Sequence, residues 1–313
     1  MRRLLLVILI CFPFLSIAQQ AEKKLKISPD IHFRMFWMST SYADTYKDDY
    51  ALGTSLNLGT KLTYAEHWNV RVGYRVFANL WSSNLVAPDP VSGGENRYEV
   101  GLFDLLNPND KFFGKLENLS LTYSKDNWGI SAGRMAINED WINAQDGRLS
   151  PTGIEGVKAW FTTADKWKFS TWAIGNMSVR GTSEWLSVGE SIGVFPVGRS
   201  KNGETSLYVG NTKSDWIGIA ELGKEWEDLS FSVSNMLVQN ISNTFWTKAE
   251  KKWQREPSGI TWLWGVQAGL QSGVGEGGNA NPIFQYKNPA DRNWVLSTRL
   301  GYKKSAVNLN LNY

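Results

Sequence analysis

Cysteine, histidine and long apolar runs are all scarce in this sequence, and each scarcity removes a class of function. The one cysteine is Cys11, inside the N-terminal apolar run, and the two histidines are His32 and His67. A chain so built holds no disulfide scaffold and no thiolate chemistry. It also lacks the four Cys or His ligands that a structural zinc site takes, so neither metal nor cofactor is expected. The one apolar run, MRRLLLVILICFPFLSIAQQ, has two arginines, about 14 apolar residues and a small-x-small ending at Ser16-Ile17-Ala18. It is too short for the roughly 20 residues of a spanning helix and reads as a secretory signal peptide over residues 1–18, cleaved after Ala18. Ile10 is too bulky for Cys11 to be a lipidation site.

Charge of either sign is not in excess. The 33 basic residues include Arg2 and Arg3 of the signal, so the mature chain nearly balances its 30 acidic ones; no nucleic-acid partner is expected. The mean hydropathy of −0.31 suits a chain in water. Yet 16 Trp, 11 Tyr and 14 Phe are far more aromatic surface than a soluble domain usually carries. Alternation reconciles the two, because a transmembrane β-strand is apolar only on its lipid side and carries aromatic girdles at both interfaces.

The stretch TSLNLGTKLTYAEHWNVRVGYRVFANL, residues 54–80, shows that alternation. Leu56, Leu58, Leu62, Tyr64, Val70, Val72, Tyr74 and Val76 fall at even positions, and Asn57, Lys61, Asn69, Arg71 and Arg75 at odd ones. The two-residue period predicts a hairpin with one oily and one wet face. About thirteen such segments follow: 31–39, 50–64, 68–81, 116–124, 127–135, 154–163, 166–178, 215–222, 228–238, 243–252, 260–271, 293–302 and 305–313. Short turns at Glu66-His67, Lys125-Asp126 and Lys303-Lys304 mostly alternate with long loops at 82–115, 136–153, 179–214 and 272–292. This rhythm predicts an all-β, antiparallel transmembrane β-barrel over residues 19–313, with the short turns periplasmic. The short connection at 239–242 breaks the rhythm, and RYEVGLFDL at 97–105 could add a strand. The chain stops inside the clean alternation of AVNLNLNY with an odd strand count, so a C-terminally truncated barrel is expected, of 16–18 strands when complete. A barrel of that size leaves an aqueous channel.

On the parity argument, the even residues of 54–80 meet outer-membrane lipid and the odd ones meet water in the lumen. Arg71 and Arg75, four residues apart, stand roughly 13 Å from each other along the strand. Arg34, Lys61, Arg299, Arg134 and Lys158 complete an expected basic column in the lumen, which would concentrate small carboxylate solutes. For any one of these residues, the alternative is that a wet face simply needs polar side chains.

The stretch GRMAINEDWINAQDGRLSPTGIEGVKAWF, residues 133–161, resembles the OprD-like outer-membrane porins, especially those of Bacteroidetes. The resemblance rests on a strand ending in Gly133-Arg134, a loop with Asn143-Ala144-Gln145-Asp146-Gly147-Arg148 and Pro151, and Glu155-Gly156 opening the next strand. GVGEGGNANP at 273–282 and RLGYKK at 299–304 also match. The resemblance implies a Gram-negative outer-membrane channel for selective passive diffusion of small solutes such as amino acids, narrowed by an inward loop. Residues 136–153 would be that loop, with Glu139, Asp140, Asp146 and Arg148 as its lumen charges. Two rivals remain at this point. A secreted β-sandwich could use its tryptophans to bind carbohydrate. An outer-membrane hydrolase is the weaker one, because neither histidine follows a Ser/His pattern on a shared face. The Gly-rich run at 273–278 lacks the Gly-Lys-Ser/Thr ending of a phosphate loop and reads as a flexible connection.

Overall fold

The computed structural model describes residues 24–43, 45–144, 147–194, 198–200, 202–255 and 257–313; the signal segment 1–18 lies outside them. The described chain is one antiparallel sheet of 14 strands. In order these are β1 Leu25–Thr40, β2 Asp49–Tyr64, β3 Trp68–Ser82, β4 Phe112–Lys125, β5 Trp128–Ala136, β6 Gly153–Thr162 and β7 Trp167–Ser178. They continue with β8 Leu186–Ser187, β9 Ile217–Glu225, β10 Leu229–Val238, β11 Ser242–Arg255, β12 Ile260–Gly273, β13 Arg292–Lys304 and β14 Val307–Asn312. Each strand pairs with the next, except that β7 pairs directly with β9 and the two-residue β8 only extends the edge of β7. Among the described residues no ladder joins β14 to β1.

The register fixes the faces. Leu62 lies opposite Val70, Leu58 opposite Tyr74 and Leu56 opposite Val76, while Lys61 faces Arg71 and Asn57 faces Arg75. The first set is the outward face: along β1 it presents Ile27, Ile31, Phe33, Met35 and Trp37, all at least half exposed. Aromatic rings edge this face at both ends. Near the short turns Trp68 and Tyr123 stand 4.7 Å apart, Tyr123 and Trp128 5.4 Å, and Trp262 and Tyr302 5.1 Å. At the opposite end Tyr50 lies 4.9 Å from Trp81 and 5.9 Å from Trp37. Between Trp68 and Trp81 β3 runs about 43 Å, which a tilt near 40° reduces to about 33 Å, close to the apolar thickness of a bilayer.

Two apolar clusters lie on the other, concave face. One gathers Ala51, Phe77, Leu85, Leu102, Phe103 and Leu149; the other contains Ile137, Ile142, Ile154, Trp172, Ile174 and Ile217. Both mix wall residues with loop residues, so the loops fold inward rather than stand above the sheet. Residues 97–105 belong to this packing. They form no strand: Val100–Leu102 is a single 3-10 turn, and Leu102 and Phe103 are buried against the wall.

The Gly-rich run also differs from the expectation of a flexible connection. Gly277 accepts from the amides of Tyr286 and Lys287, Gly278 accepts from Lys213, and Gly278 donates to Asn240. Gly277 has φ +66°, and a Cβ there would run into the Lys287 carbonyl, so glycine is the residue this closure permits.

Candidate constriction site

The loop between β5 and β6, described over 137–144 and 147–152, meets one wall section with its first half and another with its second. Its first half is tied to β6, β7, β10 and β11. Trp172 Nε1 donates to Glu139 Oε1 at 2.5 Å, and Lys158 Nζ lies 3.5 Å from the same oxygen. Asp140 pairs with Lys248 and accepts from Ser234 Oγ at 3.3 Å, while Trp141 meets Trp246 edge-on at 5.0 Å. The second half is tied to the far wall. Arg34 Nη1 donates to the Arg148 carbonyl at 3.1 Å, Ser55 Oγ donates to the Leu149 carbonyl at 2.8 Å, and Ser150 Oγ donates to Glu117 Oε2 at 3.1 Å. A segment held at both ends in this way is a fixed strap.

The seven expected column residues divide into four groups. Arg75 is 3% exposed and does not present its charge to the lumen. Its Nε and Nη2 donate to the two Glu117 oxygens at 2.6 and 2.8 Å, and Nη1 reaches Ser55 Oγ at 3.3 Å. With Arg34, it fastens the strap. The parallel-fork geometry of guanidinium and carboxylate makes this a strong, oriented pair.

Arg134 leaves the column altogether. It registers with Leu119 of the outward face instead of with Ser120, pairs with Glu155 at 2.8 Å and lies 4.8 Å from the Trp185 ring. Trp128, Ile130, Ala132 and Arg134 share one unbroken parity of the ladder, opposite Lys125, Tyr123, Leu121 and Leu119, so the register itself sets Arg134 with the outward residues; the small residues at 129, 131, 132 and 133 blur that alternation in the sequence. Lys158 does face inward, but Glu139 and the Trp172 face at 4.4 Å engage its ammonium.

Lys61 and Arg71 are what remains of the column on this wall, with Arg299 on β13. Lys61 and Arg71 stand directly opposite each other in the ladder, and neither forms an ion pair among the described residues. Two like charges in opposed positions, about 5 Å apart at Cβ, destabilise a sheet. Arg299 faces Gly265 on the same concave parity and donates to Asn310 Oδ1 at 2.9 and 3.2 Å.

Of the expected loop charges, Glu139 and Asp140 are absorbed in the anchors just described, and Asp146 lies outside the described residues. Arg148 packs against Gly101. Burial, with Arg180 nearby, pulls its pKa below the ordinary guanidinium value, opposed by Glu99.

Beside the strap opens a recess of about 750 Å³ lined by Ser131, Glu139, Lys158, Lys168, Trp172 and Glu221. Another, of about 530 Å³, includes Lys248, Glu250 and Arg299. The two histidines stand apart from both recesses: His32 Nε2 meets Asp30 at 2.6 Å, and His67 Nδ1 lies 3.0 Å from the Ser124 carbonyl. Neither touches a serine hydroxyl among the described residues.

Sequence reasoning did not single out Glu117. The signal was present in KLENLSLTY, where the apolar positions change phase between Leu116 and Leu119, Leu121. That phase change is the β-bulge at Glu117, the residue skipped between the Gly73–Asn118 and Tyr74–Leu116 pairs.

No protein-family model matches the chain, and no curated protein matches it either. Solved structures do match. Acinetobacter baumannii OccAB3 aligns at a TM-score of 0.69 and 14% identity, over 92% of this chain and 66% of that one. Pseudomonas aeruginosa OccD3 (OpdP) aligns at 0.60 and 13%, over 92% and 56%. P. aeruginosa OpdK with vanillate aligns at 0.59 and 12%, over 92% and 64%. These structures are OprD-family outer-membrane porins. At such identities the likeness is one of fold, and the chain spans less than two thirds of the length of each of these three.

Proposed function

We propose that this chain is a porin of the OprD-like kind, of the Bacteroidetes type by its 133–161 stretch, which lets small carboxylate-bearing solutes diffuse across the outer membrane of a Gram-negative cell. The observation that carries the reading is the strap at 137–152, fastened to both wall sections, with the Lys61–Arg71 pair on the concave face of the same wall, six residues along β2 from the Ser55 anchor and four along β3 from Arg75. A strap sets a width. A like-charge pair kept at a cost in stability sets a sign, and that sign suits a carboxylate. Vanillate, present in the OpdK structure, is such a carboxylate. Attraction between one guanidinium and a passing carboxylate is about 4 kcal/mol at 4 Å where the effective dielectric is near 20, against about 1 kcal/mol in bulk water. The two aromatic girdles and the outward apolar face favour a membrane wall over a carbohydrate-binding sandwich, whose outer face would be solvated.

The test is conductance. The protein made from its complete gene, in planar bilayers, should form channels that prefer anions, and vanillate or an amino acid should block them briefly. Lys61→Gln with Arg71→Gln should move the reversal potential toward cation selectivity by several-fold in permeability ratio. Channels with unaltered selectivity in the double variant would defeat the carboxylate reading, and no channels at all would defeat the porin reading.

A further inference from the structure

The outward wall carries a second feature, which conduction does not use. On β9, Lys224 has outward parity: it registers with Trp167 of β7 on one side and Phe231 of β10 on the other. Its neighbour Glu225 alternates to the concave face and takes Lys168 at 3.0 Å. The Lys224 ammonium lies 5.1 Å from the Trp167 ring and 5.1 Å from the Trp226 ring, and the two rings stand 6.0 Å apart at 79°. Two aromatic walls hold the cation in place, and no carboxylate pairs with it among the described residues. This cage sits at the short-turn end of the sheet, the periplasmic rim of the barrel reading.

Directly above the cage the same two strands open a trough. The outward pairs continue as Leu222 with Phe169 and then Ala220 with Thr171, each step about 6.6 Å further into the membrane. Ala220 and Thr171 form a shallow floor between Phe161, Phe169 and Phe245, and the trough measures about 530 Å³. An oriented cation at headgroup level, continuous with an apolar trough running toward the bilayer centre, has the outline of one lipid molecule.

Resting on the outer-membrane reading above, we propose that this wall binds a single phospholipid of the periplasmic leaflet. Its headgroup phosphate sits on Lys224 between Trp167 and Trp226, and one acyl chain lies in the trough over Ala220.

The experiment is native mass spectrometry of the detergent-purified protein, made from its complete gene and titrated with phosphatidylglycerol or with diacylglycerol of the same chains. The wild type should retain one phosphatidylglycerol and no diacylglycerol. Lys224→Gln should lower retention about tenfold. Ala220→Trp, which fills the trough and keeps the charge, should lower it as well. Both variants should still show the heat-dependent gel shift of a closed barrel and unchanged conductance. Equal retention by wild type and Lys224→Gln, or retention of diacylglycerol as strong as of phosphatidylglycerol, would overturn the site while leaving the channel reading intact. A wild type without channels or gel shift would instead strike the channel reading.

Discussion

Lys61, Arg71 and Arg75 look alike in the sequence, three bases on one face of one hairpin, and the structure gives them opposite work. Arg75 is sealed beneath the strap with Glu117, where removing one partner strands a buried charge at a cost of about 3 to 5 kcal/mol. Arg75→Gln should therefore lower the temperature of the heat-dependent gel shift markedly, while Lys61→Gln and Arg71→Gln should leave it nearly unmoved and alter selectivity. Asp89, in the loop between β3 and β4, is a residue of another kind. Amides of Ser92 and Lys47 hold its pKa down to about 2. A folded pKa below the unfolded one means that the carboxylate supports its turn above the usual carboxylate range. That support fades as pH falls through about 2. A carboxyl NMR titration should place the Asp89 midpoint near 2, and a midpoint near 4 would show the turn to be unformed.

On the channel reading the strap is the element that sets the width, and its anchors are unequal. The Trp172 indole and Lys158 both meet Glu139, and Lys248 holds Asp140, so Trp172→Phe combined with Asp140→Asn should loosen the first half of the strap from its wall. Larger and noisier single-channel currents are expected, with the strands intact by circular dichroism; identical currents would show that residues 137–152 do not set the width. The glycine closure at 273–278 is a second element with a sharp requirement. Gly277→Ala must accept a left-handed backbone, at about 1 to 2 kcal/mol, and a collision with the Lys287 carbonyl. Proteolysis within 274–291 should speed up several-fold in that variant, with little change in the wall.

At the scale of the molecule, a wall placed in a membrane as proposed would be stabilised by its ladder, since backbone groups facing lipid would have no water to pair with. Its solubility follows from the outward face. The protein should fractionate with the outer membrane and need detergent, and recovery from the periplasm in soluble form would contradict the membrane wall. The girdles at the two ends should also leave the tryptophan fluorescence sensitive to quenchers placed at the headgroup level and much less to quenchers at the bilayer centre.

Much of this architecture was legible one strand at a time. A period of two is a local property, so Leu56 through Val76 declared their face, and the turns at Glu66-His67 and Lys125-Asp126 declared theirs. Parity also drew Arg34, Lys61, Arg71 and Arg299 to the concave side. It failed where alternation was hard to read or a bulge changed the phase. In β5 the small residues between Trp128 and Arg134 hid that the two share one face, and in β4 the bulge at Glu117 supplied the partner that takes Arg75 out of solvent. The loops were legible as loops, but their folding inward was not, because Leu102, Phe103 and Leu149 find Ala51 and Phe77 across large separations in sequence. The sequence by itself determined the alternation, the two faces and the girdles, since each follows from neighbours within a strand. Only the tertiary structure decided which charges stay free, because pairing depends on what a distant loop brings within about 3 Å of them.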